Sequence, residues 1–267
     1  MALQAKNLEV TYRTADGRSV PALTDINLDI ADREFVTIIG PSGCGKSTLL
    51  KCFGGLLSPS SGEVSVNSEA VTEPDPNRAA FVFQDYTLLP WKNVLDNAAV
   101  GLHFDGKSKD ECRAKGQEML ELVGLSEFAK QYPRELSGGM QQRVAVARAM
   151  AMDPDILLMD EPFGALDEQT RQKLGSEMGR ILTETERSVV MVTHSLDEAV
   201  FWADRIIVLS ARPGRIAKEI EVKAPRPRSL SFIGTDEFAM IRSELFRLLE
   251  VPSAMAGASS TDAAAGQ

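Results

Sequence analysis

The run Gly40-Pro41-Ser42-Gly43-Cys44-Gly45-Lys46-Ser47-Thr48 has the spacing G-x-x-x-x-G-K-[ST], that of a loop whose backbone cradles phosphates. It follows the apolar run Phe35-Val36-Thr37-Ile38-Ile39, which reads as a buried strand. It leads into Ser47-Thr48-Leu49-Leu50-Lys51, which reads as the first turn of a helix. Strand, loop and helix in that order are the context the motif requires. Glycines let the backbone approach a polyphosphate, and the helix N-terminus adds partial positive charge. Lys46 is expected to reach the β- and γ-phosphates, and Ser47 to offer its hydroxyl to magnesium.

The chain has 267 residues, enough for one large domain or a domain with a subdomain. Hydrophobic residues make up 43%, sufficient for a sizeable core, and the net charge of −9 excludes a global basic footprint for nucleic acid. No apolar run approaches the roughly 18 residues needed to cross a bilayer. The first residues carry no signal-peptide pattern, so the chain is expected to stay where it is made. Cys44, Cys52 and Cys112 are odd in number and form no C-x-x-C pair, so neither a disulfide framework nor a zinc site follows, and a reducing cytosol is expected. Two readings of Cys44 stay open: a reactive thiol made acidic by Lys46 and the helix N-terminus and shielded by nucleotide, or an inert small residue.

Along the chain, residues 8–12 and 26–30 alternate as strands, with a turn at 14–18. After a turn at 58–62, strands are expected near 62–67 and 79–83. Residues 92–150 change character, with helical spacing over 96–102, 109–123 and 138–150 and no strand between, the mark of a helical subdomain inserted into an α/β core. Alternation then resumes: strands at 156–159, 188–192 and 205–209, helices at 168–185, 195–202 and 236–249. Beyond Pro252 the composition reads as a disordered tail.

Two further motifs accompany the loop. Ile156-Leu157-Leu158-Met159-Asp160-Glu161 is an apolar strand ending in two carboxylates. Open parallel sheets gather ligands at the carboxyl ends of their strands, so Asp160 is expected near the loop as a magnesium ligand and Glu161 as the group that activates water. Leu136-Ser137-Gly138-Gly139-Met140-Gln141 offers Ser137 as an N-cap and exposed amides at Gly138 and Gly139, a second anion site about ninety residues on.

Together these stretches resemble the ATP-binding cassette family over residues 5 to about 222, with Met140 where many members carry Gln. The resemblance implies a P-loop NTPase core of mostly parallel sheet, an N-terminal antiparallel β subdomain and an inserted helical subdomain at about 85–150. It implies a nucleotide-binding domain over 1–222, a C-terminal helical extension over 223–250 and a tail over 251–267. By family register, Tyr12 matches the aromatic that stacks on adenine, Gln84 the glutamine that contacts magnesium and senses the membrane partner, and His194 the γ-phosphate contact. Ala165-Leu166-Asp167 matches the loop that touches the opposite subunit. Catalysis then falls to Glu161 as general base, with Lys46, Gln84 and His194. Nucleotide binding falls to Tyr12, the loop residues Gly40, Pro41, Ser42, Gly43, Cys44, Gly45, Lys46, Ser47 and Thr48, and Ser137, Gly138, Gly139, Met140 and Asp167. Magnesium falls to Ser47, Gln84 and Asp160.

In that family two cassettes sandwich ATP head to tail, each supplying half of every pocket, so a homodimer is the economical expectation. The stretch from Gln84 to Val94, with Phe163-Gly164-Ala165-Leu166-Asp167 and Arg212-Pro213-Gly214-Arg215-Ile216, resembles the branch serving nitrate, sulfonate and taurine importers. The implied role is a peripheral ATPase at the cytoplasmic face of the inner membrane, partnered by a permease and indirectly by an external solute-binding protein. Trp91 reads either as a docking residue or as core filler, and Arg226 and Arg228 as solvated or lipid-contacting. A free-standing ATPase without a transport role is the alternative. A nucleic-acid cassette lacks its usual second cassette or coiled coil here, and a kinase or GTPase leaves Ser137–Gly139 and His194 unexplained.

Overall fold

Every residue of β3 (Phe35–Ile39) is buried, and this strand lies inside a six-stranded sheet. The computed structural model describes residues 2–164, 179, 181, 182, 185 and 187–250. The sheet has the order β10-β9-β3-β8-β7-β6, formed by β6 (Ala79–Val82), β7 (Ile156–Asp160), β8 (Ser188–Val192), β9 (Arg205–Leu209) and β10 (Ile216–Glu221). All pairings are parallel except β9 with β10. Buried strands with side chains on both faces read as continuous apolar runs, which is why 156–159 shows no alternation.

That sheet separates two hydrophobic cores. Val36, Ile38, Leu158, Val190, Val192 and Ile207 face one way, with α1 (Lys46–Phe53) and the antiparallel sheet. Phe35, Ile39, Leu157, Met159, Val189 and Met191 face the other, in one core with the helices that follow. The antiparallel sheet, order β2-β1-β4-β5, is built from β1 (Leu3–Arg13), β2 (Ser19–Ile30), β4 (Ser61–Val66) and β5 (Glu69–Ala70). Leu3 and Ala5 are buried in β1, then Leu8 and Val10; the phase changes at Asn7, at φ 46°, where the register shifts. This bulge hides the first half of β1 from a period-two reading.

Between β6 and β7 the chain is helical: α2 (Val94–Ala98), α3 (Val100–Phe104), α4 (Lys109–Leu122) and α5 (Gly138–Met150). The single helix expected over 96–102 is two short ones, broken at Ala99. Ser108 opens α4 with a reciprocal cap to Glu111. After β8 come α6 (Leu196–Trp202) and, past β10, α7 (Asp236–Glu250). Strands β5 and β10 were not expected. The helix over 168–185, the tail beyond Pro252 and the stretch Ala165-Leu166-Asp167 lie outside the described residues, apart from isolated positions near 179–185.

Neither arginine before α7 is solvated, contrary to expectation. Arg226 pairs with Asp204 at 2.7 Å, donates to the Arg33 carbonyl and lies 5.4 Å from the Phe35 ring centroid. Arg228 is buried and donates to the carbonyls of Val200, Phe201, Ala203, Val222 and Ala224. Burial pulls its guanidinium down to about 10. The carbonyls it serves end α6 and the strands beside it, so one side chain ties residues 222–228 to the main sheet. Replacing Arg228 by Ala leaves those carbonyls without a donor and is expected to cost about 3 kcal/mol. Calorimetry reads this as a melting temperature lowered by several degrees; an unchanged melting temperature contradicts it.

Candidate functional site

The loop from Gly40 to Gly45 leaves the carboxyl end of β3 and turns into α1. Gly43 and Gly45 sit at φ 75° and 106°, conformations open to glycine and strained for other residues. Gly45 is the N-cap of α1, and no side chain caps it. The first intrahelical bond runs from the Leu49 amide to the Gly45 carbonyl, so the amides of the first turn precede the ladder and are available to an anion. The Lys46 ammonium is buried in the loop and donates to the carbonyls of Gly40 at 2.8 Å and Pro41 at 3.2 Å. Beside it lies a cavity of about 370 Å³ walled by Ser42, Gly43, Ser47, Thr48, Glu161 and Arg212, among others.

Asp160 ends β7, and its Oδ1 accepts from the Ser47 hydroxyl at 3.0 Å. Burial raises the Asp160 carboxyl above its ordinary range; the Ser47 hydrogen bond opposes this, and the neighbouring Glu161 charge adds to it. Glu161 occupies a left-handed turn at φ 45°, with its amide donating to Val192 at 2.9 Å and its carbonyl accepting from Gly164 at 3.0 Å. Phe163 anchors that turn by stacking on Trp202, centroids 5.2 Å apart, with Phe35 on the same indole at 5.7 Å. His194, just past β8, places Nδ1 3.1 Å from Glu161 Oε2.

Other expected residues converge less directly. The Gln84 amide is close to the Glu161–Gly164 turn: a Cβ at Gly164 would lie 3.7 Å from its Nε2. The Tyr12 hydroxyl shares a 3.1 Å hydrogen bond with Thr48 Oγ1, so its half-exposed ring is tethered to the first turn of α1. Ser137 caps α5 by accepting from the Met140 amide, and Ser137 and Gly138 are exposed while Gly139 is buried. None of residues 137–140 lines the phosphate-loop cavity. Asp167 lies outside the described residues.

The acidic, reactive Cys44 is corrected. Its side chain is fully buried in the core beneath the loop, and burial pushes the thiol up, outweighing the nearby Lys46 charge. Any role in holding phosphate is limited to its backbone. Sequence reasoning also missed fasteners around the site. Arg148 on α5 donates to the carbonyls of Tyr86 and Thr87, and buried Asn97 bonds the backbone of Leu89, Lys92 and Asn93. Both are polar residues whose only signal in sequence is a polar position on an otherwise apolar helix face.

The Ser47 and Asp160 oxygens fit magnesium. Two adjacent ligands of an octahedral ion with bonds of about 2.1 Å stand about 3 Å apart, the separation found here. Among the described residues no group of three or more His, Cys, Asp or Glu could cage a metal, so water and phosphate oxygens would complete the shell.

A phosphate loop, an acidic strand end and a histidine on the carboxyl edge of one parallel sheet define a P-loop nucleoside triphosphatase. The sequence pattern of the ABC transporter family matches residues 23–164. Taurine import ATP-binding protein TauB of Rhizobium johnstonii is 43% identical over 252 residues, 92% of this chain and 96% of that protein. Aliphatic sulfonates import ATP-binding protein SsuB of Bacillus cereus is 42% identical over 239 residues, 90% of this chain and 92% of that one. A solved dimeric ATP-binding cassette, in a post-hydrolysis state bound to ADP and Pi, superposes with a TM-score of 0.72 at 35% identity, covering 84% of this chain and all of that one. The chain belongs to the ABC transporter family, and it is an ATPase.

Because Cys44, Cys52 and Cys112 are all buried, the native protein is expected to react slowly with a thiol reagent at neutral pH, and unfolding should release all three. Stoichiometric labelling of Cys44 in the native protein within seconds would contradict this placement.

Proposed function

We propose that this protein is the ATP-hydrolysing subunit of an importer, coupling ATP binding and hydrolysis to uptake of a small solute such as nitrate, a sulfonate or taurine through a separate permease. The observation that carries the chemistry is the Glu161–His194 contact at the wall of the phosphate-loop cavity. The importer branch is supported by the taurine and sulfonate import relatives.

Glu161 is the general base. Its carboxylate accepts from His194 Nδ1, which fixes the side chain and leaves lone pairs for a water proton. His194 both orients Glu161 and faces the terminal phosphate through its other nitrogen. Lys46 and the first-turn amides of α1 hold the phosphates, and Tyr12 offers its ring to the base. Ser47 and Asp160 would hold magnesium, with Gln84 nearby. Magnesium, when bound, neutralises charge developing on the bridging and terminal phosphate oxygens. Little covalent work falls to the protein, so positioning and charge stabilisation dominate.

The exposed Ser137–Gly138 helix start lies outside its own chain's cavity, so a second copy is needed to bring it to a triphosphate. A head-to-tail homodimer with ATP between the copies follows. In Glu161→Gln the water is no longer activated while the phosphate contacts remain. ATP affinity is expected to be retained, turnover to fall about a hundredfold or more, and ATP-bound dimers to accumulate. Size-exclusion chromatography with a phosphate-release assay measures both; normal turnover in this variant removes Glu161 from the mechanism. Adding Ser137→Arg is expected to abolish the trapped dimer.

The permease docks on the helical section after Gln84. Asn97 and Arg148 pin the stretch from Tyr86 to Asn93, and Trp91 emerges from it 72% exposed, which removes the core-filler alternative. Lys92, His103, Lys109, Arg113 and Lys130 line an adjacent groove against the single carboxylate Asp96. No helix among the described residues is long and apolar enough to cross a membrane. On this reading, attachment is peripheral, at the cytoplasmic face and through this surface. Trp91→Ala is expected to lower copurification with the permease at an unchanged melting temperature; full retention would move the docking surface elsewhere.

A further inference from the structure

The turn between β9 and β10 carries Arg212, which lines the phosphate-loop cavity on the side of Ala22. We infer that Arg212 is a second phosphate-binding cation of the nucleotide site, acting on the part of the phosphate chain nearest the nucleoside. The inference rests on the reading that the cavity holds a nucleotide.

Two features hold Arg212 in place. The turn is closed by Ser210, whose amide donates to the Arg215 carbonyl at 2.9 Å and whose hydroxyl accepts from the Arg215 amide at 3.1 Å. It is also bonded to the wall of the site: the Gly214 amide donates to the Ala22 carbonyl at 2.8 Å, and the Thr24 amide to the Gly214 carbonyl at 3.0 Å. At Gly214 the approach is so close that a Cβ would fall 2.1 Å from the carbonyl oxygen of Cys44, inside the phosphate loop. Backbone contact between the two loops therefore fixes the base of the arginine relative to the phosphates.

Charge supplies the second argument. The cavity must hold a polyanion beside Glu161 and Asp160, in a chain of net charge −9. Of the three donors on Lys46, two are already directed to the Gly40 and Pro41 carbonyls. Among the described residues Arg212 has no carboxylate partner, whereas Arg205, Arg226 and Arg228 on either side are all bonded to protein groups. An exposed, unpaired guanidinium at the rim of an anion cavity is matched to phosphate by its planar fork.

Position gives the polarity. Ala22 lies two residues beyond Val20, the β2 partner of Tyr12, so the turn is bonded to the Tyr12 side of the cavity. Glu161 and His194 mark the hydrolytic side. Arg212 thus serves binding of ATP and ADP alike and not the chemical step.

The experiment compares wild type, Arg212→Ala and Arg212→Lys, using affinities for ATP and ADP from a fluorescent-nucleotide displacement assay and steady-state hydrolysis. Arg212→Ala is expected to weaken ATP and ADP equally, by about five- to twentyfold, to raise KM by a similar factor and to leave kcat within about twofold. Its nucleotide affinity should depend less steeply on salt, and Arg212→Lys should restore part of the loss. A purely structural role would instead lower the melting temperature without a KM-selective effect, and that result overturns the inference. So does wild-type affinity in Arg212→Ala, which leaves the ATPase assignment intact. Failure of the wild-type protein to bind either nucleotide would overturn both readings together, and a loss confined to ATP would place Arg212 on the terminal phosphate and refute the polarity claimed.

Discussion

Parallel pairing of β3, β8 and β7 sets everything at the site. Ile38 pairs with Val192, and Val192 pairs with Asp160, so the three strands end level with one another. Each then releases a different chemical group at the same edge: β3 the phosphate loop, β7 the two carboxylates, β8 the threonine and histidine that follow it. A shift of one residue in either pairing would carry Asp160 away from Ser47 and turn alternate side chains to the wrong core. The two apolar faces on β3, β7 and β8 pin the register, and the 3.0 Å Ser47–Asp160 hydrogen bond is its local consequence. Site geometry here is a product of core packing more than of the loops themselves.

The loops are then fastened by polar side chains sent in from neighbouring elements. Asn97 holds the chain from Leu89 to Asn93, Arg148 holds Tyr86 and Thr87, and Arg228 gathers the ends around α6. In each case several carbonyls share one donor group, which satisfies backbone that no helix or strand can. Arg148 has a further consequence. It belongs to the helix that starts at Ser137, and it grips the stretch just after Gln84. The start of α5, the glutamine beside Glu161 and the loop bearing exposed Trp91 are therefore mechanically connected through a single helix.

The parts that were legible in sequence are those with a fixed spacing or period. The phosphate loop, the apolar strand ending in Asp160 and Glu161, and the capped helix at Ser137 were each readable, since backbone geometry dictates residue type there. His194 was placed only through family register, because a lone histidine carries no pattern of its own. The failures share a different cause. Cys44 looked electrostatically primed from its neighbours in sequence, but its side chain points into the core, where desolvation outweighs the Lys46 charge. Arg226 and Arg228 looked like solvated charges because their acceptors, at Asp204 and the α6 carbonyls, are remote in sequence. Half of β1 was lost to a bulge at Asn7, and β5, only two residues long, is too short to show a period.

The same geometry bears on the proposed site shared between two copies. The cavity on one sheet edge presents the Lys46 loop and the start of α1, and none of residues 137–140 lines it. A second helix start with paired glycines, at Ser137, lies on the helical section, with Ser137 and Gly138 exposed. On the proposed reading, two copies related by a twofold axis would each bring the Ser137 helix start to the other's cavity, a self-complementary contact of the kind a closed dimer requires.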